Sequence, residues 1–362
     1  MKLLVVDGVK VVDERRVSPP VGSVPATELC LNYFDIAMLS VQVEYLFFFD
    51  FPGSTQDFRD VHFPRLKRSL SLALSLFYPL AGRVVPSPES PNYYPGGDRV
   101  IRYSDGDSVS LTLAESGNDF ASLVGNQAKE AKAFHPLVPP LPRVTVFPGS
   151  GVSVGLTFNH VVSDGTGIIH FIKSWAAISK AGGGDVSVVK DLPSFDRASR
   201  GDLEPLKRAF LEKIATDHRI ERLAASSSES KEEPNQTTRH GRRRMTRATF
   251  VLKRAHIEAL RSSNKIKISS FSAACALVWS CLAKSRPTPP RRGDGESYGT
   301  HCFWLPANHR HRLRPPLGRA CFGNFSPVVS HAELAGENGF SSASEAIQSA
   351  IRRIDEGRVD HL

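Results

Sequence analysis

The sequence lacks the features that would place it in a membrane or in the secretory pathway. None of its apolar runs approaches the roughly 20 residues that a membrane-spanning helix needs. The stretch from Met1 to Val12 also lacks a basic start followed by the apolar run of about 7–15 residues that marks a secretory signal. These absences predict a cytoplasmic protein without a membrane segment.

Cysteine is scarce and shows no pattern. The number of cysteines, five, is odd, and none of them stands in a CxxC pair or beside paired histidines. The sequence therefore favours neither a disulfide framework nor a zinc site. We expect no bound metal and free thiols at Cys30, Cys275, Cys281, Cys302 and Cys321.

The glycine-rich loops that cradle phosphates in nucleotide-binding enzymes are also missing. Neither Gly82 nor the pair Gly96 and Gly97 has the spacing of a P-loop or of a dinucleotide-binding GxGxxG. Positive charge, in contrast, is abundant, with a formal net charge of +9. Such a charge suits nucleic acid, an acidic membrane surface or a phosphorylated small molecule, and it does not choose among them.

The overall composition is that of an ordinary globular protein, with 41% hydrophobic and 23% charged residues. A chain of 362 residues exceeds most single cores, so we expect two domains or one large two-lobed fold. After Gly182 the periodicity fades, and a serine-rich stretch precedes the basic run Arg239–Arg244. We therefore predict an N-terminal lobe over 1–182, a crossover linker over 183–246 and a C-terminal lobe over 247–362.

Apolar periodicity predicts the elements on either side of this linker. Apolar residues recur at helical spacing from Phe63 to Tyr78, just before Pro79. Alternation over Val152–Phe158 predicts a strand, and the helix that follows ends at Gly182–Gly184. Further strands are predicted at Leu3–Val6, Tyr45–Phe49, Ala248–Leu252 and His301–Leu305, and further helices at Glu204–Ala215, His256–Arg261 and Ser270–Lys284.

The segment His-Val-Val-Ser-Asp-Gly, from His160 to Gly165, lies between that strand and that helix and holds the sequence's single H-x-x-x-D spacing. A histidine just past a strand end is held rigidly and can face a cleft, as proton abstraction requires. Its neutral imidazole could accept a proton from a hydroxyl or amine as that atom attacks a carbonyl. Asp164 could orient His160 or form an ion pair with an arginine, and we favour the structural role. The bare spacing is also compatible with an ordinary core or loop histidine.

Several longer blocks accompany this motif: Leu31–Asp35, Pro64–Lys67, Phe77–Arg83, Phe158–Gly165, Phe171–Ala176, Pro193–Arg197, Ala248–Leu252 and Phe322–Phe325. Together they resemble the plant BAHD acyltransferases over nearly the whole chain, and most closely the branch that acylates anthocyanins and phenolic glucosides. The resemblance implies a mixed α/β (α+β) fold of two chloramphenicol-acetyltransferase-like lobes with a channel between them.

The resemblance also implies an activity. It is that of an acyl-CoA-dependent O-acyltransferase, a monomer without a metal, that transfers a malonyl or hydroxycinnamoyl group to a hydroxyl of a phenolic or flavonoid glucoside. His160 would be the general base, and Asp164, followed by Gly165, would pair with Arg310 in a structural role. Residues that stand where relatives contact coenzyme A are Ser270, Lys253 and Arg254.

The same resemblance leaves one alternative function open. The family's D-F-G-W-G block should follow the last residues of this chain, which predicts an incomplete second lobe. A truncated homologue could bind a ligand or a partner without turnover. The run Arg239–Arg244 is compatible with a solvated linker, with contacts to coenzyme A phosphates or, least of all, with nucleic-acid binding.

Overall fold

The computed structural model describes residues 5–6, 8–88, 99–138, 142–197, 207–209, 211–212, 246–264, 266–285, 301–304, 320–321, 324, 328–331, 334 and 336–356. The chain divides into two compact units. The first comprises Met1–Thr249 with Ala320–Asn324, and the second comprises Phe250–Arg319 with Phe325–Leu362. Each unit is described by itself below.

The first unit is rich in strands. They are β1 (Val5–Val6), β2 (Val9–Val17), β3 (Thr27–Cys30), β4 (Gln42–Asp50), β5 (Arg83–Pro86), β6 (Arg99–Tyr103), β7 (Val109–Ser116), β8 (Lys129–Glu130), β9 (Arg143–Phe147), β10 (Gly151–Asn159) and β11 (Thr246–Arg247). Six of them form one sheet in the order β1-β2-β7-β9-β10-β4, in which β7 and β9 pair in parallel and the other neighbours are antiparallel. The order β3-β6-β5 forms a second sheet, and β8 pairs with β11.

Helices of this unit pack on both faces of the six-stranded sheet. In its described part, the helices with defined bounds are α1 (Tyr33–Ile36), α2 (Thr55–Asp57), α3 (Phe63–Leu76), α4 (Phe120–Val124) and α5 (Gly165–Lys180). α4 lies on one face, where its Leu123 clusters with Ala114 and Phe147. α3 and α5 share the main core with alternate residues of β10, because Val152 and Leu156 of that strand lie in the same cluster as Leu74 and Phe171. The Trp175 indole N–H reaches back to α3, where it meets the Ser69 hydroxyl at 3.0 Å.

The predicted elements around the histidine motif are confirmed. The helix predicted from Phe63 and the strand predicted over Val152–Phe158 are α3 and β10. α5 ends as the glycines predict, since Gly182 and Gly183 take positive φ angles of 91° and 82°, which favour glycine. The Gly183 N–H then donates to the carbonyl of Ile178 at 2.9 Å.

The strand predicted at Ala248–Leu252 is wrong. Pairing with β8 stops at Arg247, and residues 248–252 pair with no strand among the described residues. The side chain of Phe250 is 88% exposed, so the alternation of apolar residues does not correspond to a buried sheet face here. Within the predicted helix Glu204–Ala215, the described residues 207–209 and 211–212 are helical.

The described part of the second unit consists of three helices and a strand pair: α6 (Arg254–Ser262), α7 (Ser270–Ser285), β12 (His301–Trp304), β13 (Val328–His331) and α8 (Gly339–Asp355). α6, α7 and β12 confirm predicted elements, whereas α8 was not predicted. α7 and α8 pack together around Trp279, Ile347 and several alanines. Among the described residues of the chain, no helix is both long enough and apolar enough to cross a membrane.

Candidate active site

His160 directly follows β10 and opens a 3₁₀ turn that leads into α5. Hydrogen bonds tie this turn to the segment before β4. The His160 backbone N–H donates to the Val41 carbonyl at 2.8 Å, and the Asn159 amide donates to the Leu39 carbonyl at 2.9 Å. Asn159 Oδ1 in turn accepts from the Val161 N–H at 3.0 Å. The imidazole is therefore carried by a backbone anchored on both sides, as its predicted position at a strand end requires.

Asp164 caps the helix that follows. Its buried carboxylate accepts from the Gly167 N–H at 3.1 Å, and Gly165 is the first helical residue. A Cβ added at Gly165 would lie 3.6 Å from the Tyr45 hydroxyl, so this tyrosine stands beside the helix start. Burial and, second, the charge of Asp164 raise the pKa of Tyr45. The capping bond fits the structural role favoured for Asp164, while Arg310, its predicted partner, lies outside the described residues.

The imidazole of His160 is held by Asn324, a residue far away in sequence. His160 Nδ1 lies 2.8 Å from Asn324 Oδ1. The orientation of this amide follows from its other contacts, because its nitrogen donates to the carbonyls of His160 and Val161 at 2.8 and 3.2 Å and to Asp35 Oδ1 at 2.9 Å. All three are acceptors, so the oxygen must face the ring. Nδ1 therefore carries the proton, and the lone pair that can accept a proton is on Nε2.

Asn324 is held in turn by a buried ion pair. Asp35 Oδ2 lies 3.0 Å from Arg197 Nη1, and the two side chains are 0% and 1% exposed. Asp35 also accepts from the backbone N–H groups of Asn324 and Asn32 at 3.1 and 3.0 Å. Burial raises the pKa of Asp35, while Arg197 and the hydrogen bonds oppose that rise. The second Arg197 nitrogen donates to the Val162 carbonyl at 2.5 Å, within the turn that carries the histidine.

We call Asp35, Arg197 and Asn324 the buried polar network. Sequence reasoning assigned no role to any of them, although each belongs to one of the blocks that carry the family resemblance. The available signal was that each block combines aromatic residues with a polar side chain able to make several hydrogen bonds. The structure brings all three blocks to the turn of His160.

The residues predicted to contact coenzyme A belong to the second unit. Lys253 directly precedes α6, and its backbone N–H donates to the ring of His256 at 3.3 Å. Arg254 pairs with Glu258 at 2.9 Å, and its side chain is largely exposed. Ser270 is the first residue of α7. Exposed cations near a helix start can contact phosphate, but no described contact assigns them that role.

A cavity of about 220 Å³ lies inside the first unit next to this turn. Phe158, Asn159 and Val162, which flank the histidine, line it together with apolar residues of α3 and α5. Over the described residues, no group of three or more histidine, cysteine, aspartate or glutamate side chains could hold a metal ion. At the histidine turn, the contact with Asn324 leaves an imidazole whose Nε2 can accept a proton.

Comparison with known proteins gives the family. The model of the Transferase family matches residues 9–360. The chain is 35% identical to malonyl-coenzyme:anthocyanin 5-O-glucoside-6'''-O-malonyltransferase of Salvia splendens over 92% of this chain and 72% of that protein. It is 32% identical to coumaroyl-CoA:anthocyanidin 3-O-glucoside-6''-O-coumaroyltransferase 1 of Arabidopsis thaliana over 95% of this chain and 77% of that protein.

Solved structures agree on the fold. Vinorine synthase superposes with a TM-score of 0.59 at 17% identity, over 94% of this chain and 75% of that chain. TRI101 of F. graminearum, complexed with coenzyme A and T-2 mycotoxin, gives a TM-score of 0.55 at 11% identity, over 92% of this chain and 77% of that chain. The predicted mixed α/β acyltransferase fold is therefore confirmed. The chain belongs to the Transferase family, the acyl-CoA-dependent BAHD acyltransferases.

Proposed function

We propose that this protein transfers a malonyl or hydroxycinnamoyl group from acyl-CoA to a hydroxyl of a phenolic or flavonoid glucoside such as an anthocyanin, with His160 as general base. The observation that carries the base assignment is the 2.8 Å contact between Nδ1 and Asn324 Oδ1, which directs the basic lone pair to Nε2. The two acyl classes and the glucoside acceptor come from the names of relatives that are 30–35% identical to the chain.

The reaction needs one group that takes and returns a proton. Nε2 of His160 removes the proton of the acceptor hydroxyl as its oxygen attacks the thioester carbonyl. The C–S bond of the tetrahedral intermediate then breaks, and the imidazolium returns its proton to the departing thiolate. The products are the ester and free coenzyme A, and the imidazole is restored. Help of this kind from a general base typically accelerates a reaction by about 10²–10⁴-fold.

Other residues take supporting roles in this proposal. Asp164 and Gly165 shape the start of α5, and Arg310 is the proposed partner of Asp164. Cationic Lys253 and Arg254, with Ser270, would contact the coenzyme A donor, which suits the net charge of +9. Both the donor and the acceptor are small molecules in this proposal. It includes no metal and no nucleic acid, and it has the protein acting as a monomer.

The test is release of free thiol from malonyl-CoA and from coumaroyl-CoA, with a flavonoid glucoside as acceptor. We expect one donor to be preferred and His160→Ala to lower kcat by about 10²–10⁴-fold. His135→Ala is the matched control, because His135 is an exposed histidine of the same unit, and it should keep full activity. Undiminished turnover by His160→Ala would remove the histidine from the mechanism. Binding of coenzyme A without turnover by the folded wild-type chain would support the alternative, a non-catalytic homologue.

A further inference from the structure

We propose that the buried polar network positions the catalytic imidazole: Asn324 holds His160 in the Nδ1–H tautomer, and the Asp35–Arg197 pair holds Asn324. Asp35, Arg197 and Asn324 are positioning residues, because they act on the reaction only through the ring. This inference rests on the proposed function of His160 as a base. It adds that neighbouring groups from three distant chain segments decide which nitrogen is basic.

The first step is the amide itself. Asn324 is 2% exposed, and its nitrogen shares two hydrogens among three acceptors, two of them carbonyls of the histidine turn. Rotating the amide would turn its oxygen towards those three acceptors and remove the donor that Asn324 supplies to them. A buried polar atom that faces only other acceptors is costly, whichever ring nitrogen carries the proton. The amide therefore keeps its oxygen on Nδ1, whereas a neutral imidazole in water favours the proton on the other nitrogen.

The second step is the carboxylate that holds this amide. Asp35 accepts from both the backbone N–H and the side-chain nitrogen of Asn324, at 3.1 and 2.9 Å. Its other contacts, the Asn32 N–H and Arg197, are donors as well. A site formed by donors holds the ionised carboxylate, which fixes the backbone and the side chain of Asn324 together.

The third step is the arginine, which joins the network to the histidine turn. One guanidinium nitrogen contacts Asp35 and the other contacts the Val162 carbonyl, two residues after His160. A planar fork of this kind holds its two acceptors at a fixed separation. The carboxylate and the turn thus cannot move independently, and the ring stays in one orientation.

The electrostatics of the arrangement predict its effect on pH dependence. The group in contact with Nδ1 is a neutral amide, and the negative charge of Asp35 lies one hydrogen bond further away and is compensated by Arg197. Charged or titratable groups on the other elements around the turn are Asp164 at the start of α5 and Tyr45 on β4. A carboxylate placed directly on Nδ1 would favour the protonated ring far more than this amide does.

The decisive variant is Asn324→Asp. Its new carboxylate would touch the ring and lie about 3 Å from Asp35, and two carboxylates at that distance retain one proton between them. The pair keeps a single negative charge, now in contact with the imidazole. We expect the acid limb of the kcat/KM profile to move to higher pH by about one unit. Asn324→Ala, which removes the acceptor, should lower kcat by about 10²-fold with little change in KM.

Asn159→Ala is the matched control, because Asn159 fixes the same turn through Leu39 and Val161 and makes no bond to the ring. It should leave the acid limb in place even if it lowers stability. A merely structural network predicts the opposite pattern, in which all variants of the turn lose stability and activity together and the pH profile stays fixed.

A second readout does not depend on turnover. The ¹⁵N shifts of the histidine side chains in the unliganded chain, with the His160 signals assigned by their loss in His160→Ala, report the tautomer directly. We expect Nδ1–H in the wild type and a shift towards Nε2–H in Asn324→Ala and in Asp35→Asn. A wild-type ring protonated at Nε2, or a tautomer unchanged in both variants, would overturn the inference. The expected tautomers in a chain without turnover would uphold the network and count against the proposed function alone.

Discussion

Two helices of sixteen residues, α5 in the first unit and α7 in the second, are held in different ways. α5 buries large side chains in the core that it shares with the six-stranded sheet: Ile168, Phe171, Trp175 and Ile178. The buried face of α7 consists mainly of small side chains, with Trp279 as the large exception: Ser272, Ala273, Ala276, Ser280 and Ala283. The helix that begins beside His160 is thus the better packed one.

The difference has an energetic consequence. Burial stabilises by about 25 cal/mol per Å² of apolar area, so a face of alanine and serine contributes less than a face of large apolar side chains. α7 also leaves Phe271, Val278 and Leu282 exposed by 41%, 49% and 47%. The first unit therefore has a large core next to the base, and the described part of the second unit has a smaller one.

The largest expected effects come from one substitution made in each core. Ile178 in α5 and Ile347 in α8 are both 0% exposed. Replacing a buried isoleucine by alanine costs about 2–5 kcal/mol, and the cost depends on how well the site can collapse. We expect about 4 kcal/mol for Ile178→Ala among its large neighbours and about 2 kcal/mol for Ile347→Ala, whose alanine-rich contacts can close in.

Urea unfolding followed by fluorescence checks this prediction in single-tryptophan backgrounds that retain Trp175 or Trp279. The first reports on α5 and the second on α7. A cost for Ile347→Ala that equals or exceeds that of Ile178→Ala would contradict the proposed difference between the two cores. Ile351→Ala, at a partly buried position of the same α8, is a control for general effects on that helix.

The elements that sequence could predict were those with a strong local signal. Helical spacing from Phe63 predicts α3, and alternation before His160 predicts β10, because both patterns depend on neighbours within a few residues. The strand predicted at Ala248–Leu252 was wrong, since a pattern of apolar residues does not show whether a partner strand exists. α8 was predictable in the same way as α3, because Phe340, Ala343, Ile347 and Ile351 recur at helical spacing.

The same limit applies to the site. His160 and Asp164 were predictable because they stand in one short motif between a strand and a helix. Asn324 lies 164 residues after His160 and 289 residues after Asp35, so no spacing rule could connect them. Hydrogen-bond partners this distant come together only through the fold, and a buried polar side chain shows its role only once its neighbours are known.

A second comparison concerns the caps of the two sixteen-residue helices. Asp164 accepts from the Gly167 N–H at 3.1 Å, and the Ser269 hydroxyl accepts from the Ser272 N–H at 3.0 Å. Loss of such a cap costs about 1 kcal/mol, so Asp164→Ala and Ser269→Ala should destabilise their units to a similar extent. Only Asp164→Ala should also reduce kcat, because Asp164 lies four residues after His160 in the same turn.

Thermal unfolding and steady-state kinetics of both variants check the caps. Asp164→Asn is the matched control, since asparagine caps a helix about as well as aspartate. It should recover the part of the stability that the cap contributes, and a loss that remains would report the proposed pair with Arg310. Equal loss of kcat in Ser269→Ala and Asp164→Ala would show that the effect on activity does not come from the placement of the histidine turn.

The smallest expected effect on stability concerns the starts of two helices. A carboxylate accepts the hydrogen bonds at the start of α2, and a histidine ring does so at the start of α6. At α2 in the first unit, Asp57 accepts from the Ser54 hydroxyl at 2.7 Å and from its backbone N–H at 2.9 Å. These bonds hold the pKa of Asp57 below its usual value, with the hydroxyl bond as the larger cause. At α6 in the second unit, the ring of His256 accepts from the Lys253 N–H instead.

Because the pKa of Asp57 is lower in the folded chain than in the unfolded one, its contribution to stability is present above the unfolded pKa. It is lost as the pH falls through the folded pKa. We expect Asp57→Asn to lower the Tm slightly at pH 7, and the difference from the wild type to close in acid, where the wild-type carboxyl is protonated too. The change should be reported by Trp175 and not by Trp279, since α2 belongs to the first unit. A difference that stays constant across the acid range would mean that the charge of Asp57 does not stabilise the start of α2.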